Sequence, residues 1–235
     1  VQENLQGFSE VVLSVPTTNG LDLPPIGNCR VVIDRDVLDI DKSSIKYRPN
    51  WIYAMFLKLF QDATKEDLYL TIDADIVLVN PLPMFEGGKR ILWAGYPQDH
   101  QPYFFFQTKW LDLPRKYPAT FIGDMNLISK SMIRQLLKDN GFEGPLDFIK
   151  QTTPQITAES HPAENEINGQ CCMKYAPTEY ERRELKQYHA GGRHIQSWDY
   201  QAWSPVDVES SIAEAKPRGF HVAVLHSWFT NNEAQ

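Results

Sequence analysis

The sequence predicts an α/β protein with a mainly parallel central sheet flanked by helices, in one domain over residues 8–232. Three observations predict it. Apolar β-branched runs alternate with segments of helical period along the chain, the pattern of strand–helix–strand units. The composition, 42% hydrophobic and 23% charged, suits a soluble chain with a substantial core. No Pro/Gly/Ser-rich linker divides it. Residues 8–100 read as the more regular half. Residues 101–232 are richer in loops and aromatics, as expected where specificity is built.

Taken in order, EVVLSVPTT (10–18) is a first strand and CRVVIDRD (29–36) a second. PNWIYAMFLKLFQDA (49–63) is a helix with Pro49 in its first turn and an apolar stripe of Trp51, Ile52, Met55, Phe56 and Leu59. DLYLTIDADIVLV (67–79) is the strongest strand, and RILWAGYPQ (90–98) is another. The aromatic segment 103–110 is one more strand or a loop. ATFIGDMNLISKSMIRQLLKDNG (119–141) reads as strand, turn and a helix closed by Gly141. ENEINGQCCMKYA (164–176) is a helix, KYAPTEYERRELKQ (174–187) a charged helix face, and GFHVAVLHSWF (219–229) a late strand. ENLQG (3–7) resembles a protease-tag remnant and stays outside the fold reading.

A net charge of −7 without a Lys/Arg run argues against a nucleic-acid partner. No run of roughly 18 apolar residues predicts a membrane span. The cysteines, Cys29, Cys171 and Cys172, are odd in number with one adjacent pair. They make no disulfide framework and fit a reducing compartment. The expected location is cytoplasmic, although a trimmed Golgi-lumen domain would read the same.

The chemistry concentrates at IDAD (72–75), where Asp73 and Asp75 interrupt the most apolar strand. Side chains two apart on a strand share a face, and unpaired carboxylates are too costly for an apolar core. Both therefore belong at a strand end, facing solvent, a cation or a substrate. In open α/β sheets ligands gather at the carboxyl ends of strands. Two carboxylates there suit Mg²⁺ or Mn²⁺ shared with substrate phosphates. The plain alternative is a turn or helix cap, since Asp-x-Asp alone is common.

A second chemistry competes. DADIV also fits the Asp-x-Asp-x-Thr/Val pattern of haloacid-dehalogenase-like phosphatases, with Asp73 as nucleophile, and IGDMNLI imitates their late Gly-Asp segment. Against it, about seventy residues with strands of their own precede the motif, which normally opens that fold. The second late acid falls at Ile128, and VLVNPLPMF lacks the expected Gly-Thr start.

NWIYAMFLKLF followed by LYLTIDADIVLVNPLPMF resembles the GT-A glycosyltransferase pattern: an apolar helix, a strand ending in Asp-x-Asp, then Pro-Leu and an aromatic. More narrowly, the chain is similar to a family of uncharacterised GT-A-like proteins related to bacterial and viral sugar transferases. Trp51, Leu57, Lys58 and Leu59 match that family's helix, with Ala54 and Met55 where it has glutamines. AENEING places Glu164, Glu166 and Gly169 in register with a second family segment. Gly123-Asp124 before Met125 stands where the family has two histidines.

The resemblance implies a single GT-A domain that moves a sugar from a nucleotide-diphosphate sugar, a UDP-sugar by preference, to a hydroxyl of a carbohydrate acceptor. Mn²⁺ or Mg²⁺ would sit on Asp73 and Asp75, with His226 of VLHSW completing the metal or phosphate site. His226 otherwise reads as a strand-end histidine, and His221 lies too early in the strand. An inverting transfer needs a carboxylate base, with Glu164, Glu166 and Asp124 as candidates and Glu164 favoured by its register. Glu164 and Glu166 also suit a helix N-terminus. Two apart on a helix, they point in different directions, so at most one faces the reaction. Asp124 also suits an N-cap or the donor sugar's hydroxyls. A retaining reaction needs no base, and the stereochemistry stays open. Thr17 and Thr18 would meet the base or ribose, and Arg48 a phosphate or ribose. Trp51 reads as core and Lys58 as a solvated or snorkelling helix residue. The segments 96–110 and 194–203, with Trp198 and Trp203, read as the acceptor side, with at least two of Phe104–Phe106 in the core. A non-catalytic nucleotide-sugar or carbohydrate-binding module is the remaining alternative.

Overall fold

The first strands follow the expected order. β1 (Val11–Val15) pairs in parallel with β2 (Cys29–Ile33), and a short helix, α1 (Asp34–Val37), follows directly. The computed structural model describes residues 4–5, 8–16, 29–95, 99–117, 119–189 and 205–224. Thr17, Thr18, Trp198, Trp203 and His226 lie outside the described residues.

The helix expected over 49–63 is α2 (Pro49–Phe60), which starts at Pro49 and buries Ile52, Tyr53, Phe56, Leu59 and Phe60. Its apolar face meets Phe106, Ile128, Leu136 and Phe148 in the largest core cluster. The Phe148 ring stands edge-on to those of Phe56 and Phe106 at centroid separations of 6.3 and 6.1 Å. Offset and edge-on pairs of this kind add to what area burial alone gives.

The strongest strand is broken at the aspartates. β3 (Leu68–Ile72) ends before Asp73, Ala74 and Asp75 turn, and β4 (Ile76–Leu78) departs to another sheet. The two carboxylates therefore lie in a turn and not on one strand face. The physical reason is the one that set them at a strand end: neither fits a buried ladder. β5 (Phe85–Glu86) and β6 (Lys89–Ala94) form a hairpin through Gly87 and Gly88.

The aromatic segment is a helix, α3 (Gln101–Leu111), with Pro102 in its first turn. Phe104, Gln107 and Leu111 recur at helical spacing and are buried, as is Phe106, while Phe105 is 57% exposed. β7 (Met125–Ser129) runs into α4 (Lys130–Asp139), which Gly141 closes at φ +81°. The Ser129 hydroxyl caps α4 by accepting from the Met132 N–H. α5 (Pro145–Thr152) and α6 (Glu164–Tyr175) follow.

The charged segment 174–187 is not a helix face. α6 stops at Tyr175, and β8 (Tyr180–Glu184) and β9 (Gln187–His189) take over. The charges work across the strand instead, with Arg183 bridging Glu181 at 2.7 Å and reaching Glu86. α7 (Pro205–Ala215) leads to β10 (Val222–Val224), the described part of the late strand.

The expected mainly parallel central sheet is not assembled among the described residues. The fold is mixed α/β, with small sheets ordered β1-β2, β4-β10-β9, β3-β7 and β5-β6-β8. Parallel pairs (β1–β2, β6–β8, β9–β10) alternate with antiparallel ones (β3–β7, β4–β10, β5–β6). A helix between two strands enforces parallel pairing only when those strands are neighbours. β3 and β7 are separated by three strands and a helix, so no local crossover sets their direction. No described helix is long and apolar enough to cross a membrane.

Candidate active site

Antiparallel pairing of β3 with β7 decides where the carboxylates meet. Ile72 pairs with Met125, so Asp73 leaves one strand where Asp124 enters the other. The Asp73 N–H donates to the Asp124 carbonyl at 2.9 Å. The chain enters through Gly123, beside β6. There the Gly95 N–H donates to the Ile122 carbonyl at 2.7 Å, and a Cβ on Gly123 would stand 3.0 Å from the Trp93 carbonyl. Asp124 thus precedes a strand and caps no helix.

Lys58 of α2 enters from the other side. Its Nζ lies 2.5 Å from Asp73 Oδ1 and 3.0 Å from Glu164 Oε1, at the first turn of α6. Burial disfavours its charge, but Glu164 and Asp73 outweigh burial and hold its pKa above the usual lysine range. Lys58 is therefore not a solvated helix residue. It lies one turn beyond Met55, at the edge of the buried face of α2, and that register was the available signal.

The carboxylates outnumber this ammonium. Burial, then the charges of Asp73 and Asp75, pushes Asp124 up to about 6, although the Gln187 side-chain amide donates to it. Burial likewise raises Asp73 and Glu164 against the pull of Lys58. Glu164 is only 3% exposed, so its link to Lys58 is an inward ion pair.

Glu166 has a different task. Fully buried, it accepts from the Thr120 hydroxyl at 3.0 Å, the Phe121 N–H at 2.9 Å and the Gln170 amide at 3.0 Å. As expected for positions two apart on a helix, it and Glu164 point apart, and Glu166 is a structural anchor for residues 120–121. Asn165 and Asn168 complete that seam, donating to the carbonyls of Gly123 and Leu127. Sequence period could not reveal the seam, because α6 buries polar side chains all round.

Gly169 supports the same contact. A Cβ there would lie 2.0 Å from Cγ of buried Phe121. Gly169→Ala is expected to cost about 1–3 kcal/mol through overpacking. Urea denaturation measures this, and an unchanged midpoint would remove Gly169 from the packing account.

Arg48 is exposed, and its guanidinium lies 4.5 Å over the Trp51 ring. Trp51 packs partly against the core and also stacks with Tyr103 at 6.4 Å. Burial, followed by the charge of Glu164, pushes the Tyr103 phenol up to about 12, so this aromatic group borders the carboxylate site. His221 is structural: its Nδ1 accepts from the Lys186 N–H at 3.1 Å and its ring meets Trp93 edge-on.

No group of three or more His, Cys, Asp or Glu side chains is arranged to hold a metal ion among the described residues. The donor chemistry around Asp73, Asp75 and Asp124 nevertheless suits a hard divalent cation, because one ammonium serves an excess of carboxylates. No protein-family model matches the chain, and no curated protein sequence matches it.

Proposed function

We propose that the chain is a metal-dependent glycosyltransferase that moves a sugar from a nucleotide-diphosphate sugar to a carbohydrate hydroxyl. The observation that carries this reading is the gathering of Asp73 and Asp124 where β3 and β7 meet, with Glu164 sharing the single ammonium of Lys58 with Asp73. Asp73 and Asp75 would hold Mn²⁺ or Mg²⁺. The cation supplies charge neutralisation for the departing nucleoside diphosphate. Lys58, held by buried Glu164, fixes the Asp73 carboxylate from the side of α2. Asp124, held near neutral pH by burial and like charge, suits proton removal from the acceptor better than Glu164, which is locked onto Lys58. Tyr103 and Trp51 offer aromatic faces to the acceptor side. The free cysteines suit a reducing compartment such as the cytoplasm.

Thermal unfolding with UDP-, GDP-, dTDP- and CMP-sugars, with and without Mn²⁺, tests the proposal. One donor at about 100 times its Kd should add about 2.7 kcal/mol of stability, a rise of roughly 5–10 °C. That rise should require Mn²⁺ and vanish in Asp75→Ala. Silence from every donor with Mn²⁺, or an equal response in Asp75→Ala, overturns it.

A further inference from the structure

Asp124 is held by more than the pairing of β3 with β7. Its carbonyl accepts from the Asp73 N–H, and the neighbouring carbonyl of Gly123 accepts from the Asn165 amide. With the backbone fixed, the remaining freedom of Asp124 is rotation of its carboxylate. Gln187, the first residue of β9, removes that freedom: its Nε2 donates to Asp124 Oδ2. A carboxylate only accepts, so the amide turns its nitrogen and not its oxygen to Asp124. Oδ1 takes no part in this bond.

Gln187 stands on a rigid frame. The Leu185 N–H donates to the Ala94 carbonyl at 2.7 Å, and the Lys186 N–H donates to His221 Nδ1 at 3.1 Å. The His221 N–H returns a bond to the Lys186 carbonyl at 2.9 Å, and Gln187 itself pairs with Val222 of β10. The Gln187 side chain is buried and lies over Gly95, directly after β6. A Cβ on Gly95 would stand 2.8 Å from Gln187 Oε1, 3.4 Å from its Cδ and 3.5 Å from its Nε2. The amide therefore occupies the volume that a side chain at position 95 would need.

We propose that Gln187 is the positioning residue of Asp124, and that Gly95 leaves the space in which it works. The assignment rests on the sugar-transfer reading with Asp124 as the base. In that step the acceptor oxygen bonds to the anomeric carbon, and its proton passes to Asp124 Oδ1. The bond from that carbon to the nucleoside diphosphate breaks, and the diphosphate leaves with the electron pair. Gln187 touches no reacting atom. It holds Oδ2, so that Oδ1 keeps one direction. A base must lie within about 2.6–3.2 Å of the group whose proton it takes, and a misplacement of about 1 Å can cost about 10²-fold.

The full chain is assayed with Mn²⁺ and UDP-glucose, UDP-galactose, GDP-mannose or dTDP-glucose, with water as the acceptor and release of nucleoside diphosphate as the readout. Gln187→Met keeps the length of the side chain and removes the donor. It should lower kcat about 10–100-fold and leave the donor KM unchanged. Gly95→Ala alters neither Gln187 nor Asp124, yet should lower kcat over the same range by displacing the amide. The double variant should be no slower than the slower single one, because both act through one bond. Mn²⁺-dependent thermal stabilisation by the donor should persist in all three, which shows that they fold and bind. Full kcat in either single variant, losses that multiply in the double variant, or a loss carried by the donor KM overturns the assignment while the sugar-transfer reading stands. No release from any donor by the wild type overturns the sugar-transfer reading itself, and the assignment with it.

Discussion

Lys58→Met is expected to destabilise the protein by about 3–5 kcal/mol at pH 7, the usual result of removing one partner from a buried pair. The effect comes from what is left behind. Glu164 is 3% exposed and loses its cation, which lies 3.0 Å away. Asp73, more accessible, loses its own at 2.5 Å and contributes less. Methionine replaces the stem of Lys58, so packing changes little. Burial already raises the Glu164 pKa despite Lys58, and the variant raises it further. For a carboxyl raised on folding, stability is fully present below its unfolded pKa and is lost as pH rises through its folded pKa. The deficit should therefore shrink toward pH 4 and widen toward pH 8. Adding Glu164→Gln should recover much of the loss, since the stranded charge is then gone. Urea unfolding of the three variants at pH 4.5 and 7.5 measures both effects. A loss below about 1 kcal/mol at pH 7.5 would mean that solvent screens the pair and that Lys58 does not organise the site.

What could be read from the chain follows the range of the signal. α2 and α4 were legible because Pro49 and Gly141 punctuate clean helical stripes. The strand end at the aspartates was legible because two charges interrupt an apolar run, although the departure of Ile76–Leu78 to another sheet was not foreseen. Asp124 was visible as a candidate, but its place beside Asp73 depends on Ile72 pairing with Met125, a long-range register that no local pattern encodes. The same ignorance of pairing produced the expectation of a mainly parallel sheet. Lys58 was misread because cations on helices usually reach solvent, and its register lay only at the edge of the buried face of α2. Glu166 was misread because a carboxylate bonded to a loop N–H and a hydroxyl looks, in sequence, like one poised for chemistry. The aromatic segment read as a strand or a loop, because three consecutive phenylalanines hide the helical spacing on which Phe104, Gln107 and Leu111 are buried.

Asp124→Asn separates sugar transfer from structure, because it should strengthen the fold while disabling the reaction. The carboxyl of Asp124 is raised from its ordinary 3.8 to about 6, first by burial and then by Asp73 and Asp75. Its favourable contribution is complete below about pH 4 and disappears as pH climbs through about 6. The wild type should thus lose about 2 kcal/mol relative to the variant over this interval, allowing for partial exposure of the group. Asparagine cannot ionise, and its Oδ1 still accepts from the Gln187 amide that now serves Asp124. At pH 7.5 Asp124→Asn should be more stable by that amount, and the two proteins should converge at pH 4. Mn²⁺ should narrow the gap at pH 7.5, since a cation on Asp73 and Asp75 removes the repulsion that raises Asp124. Turnover should fall about 10²–10⁴-fold, while Mn²⁺-dependent stabilisation by the donor persists. A residue serving only to hold the loop would give the opposite sign, with Asp124→Asn less stable at every pH. Such a loss at pH 7.5, or full turnover in the variant, would remove Asp124 from the chemistry.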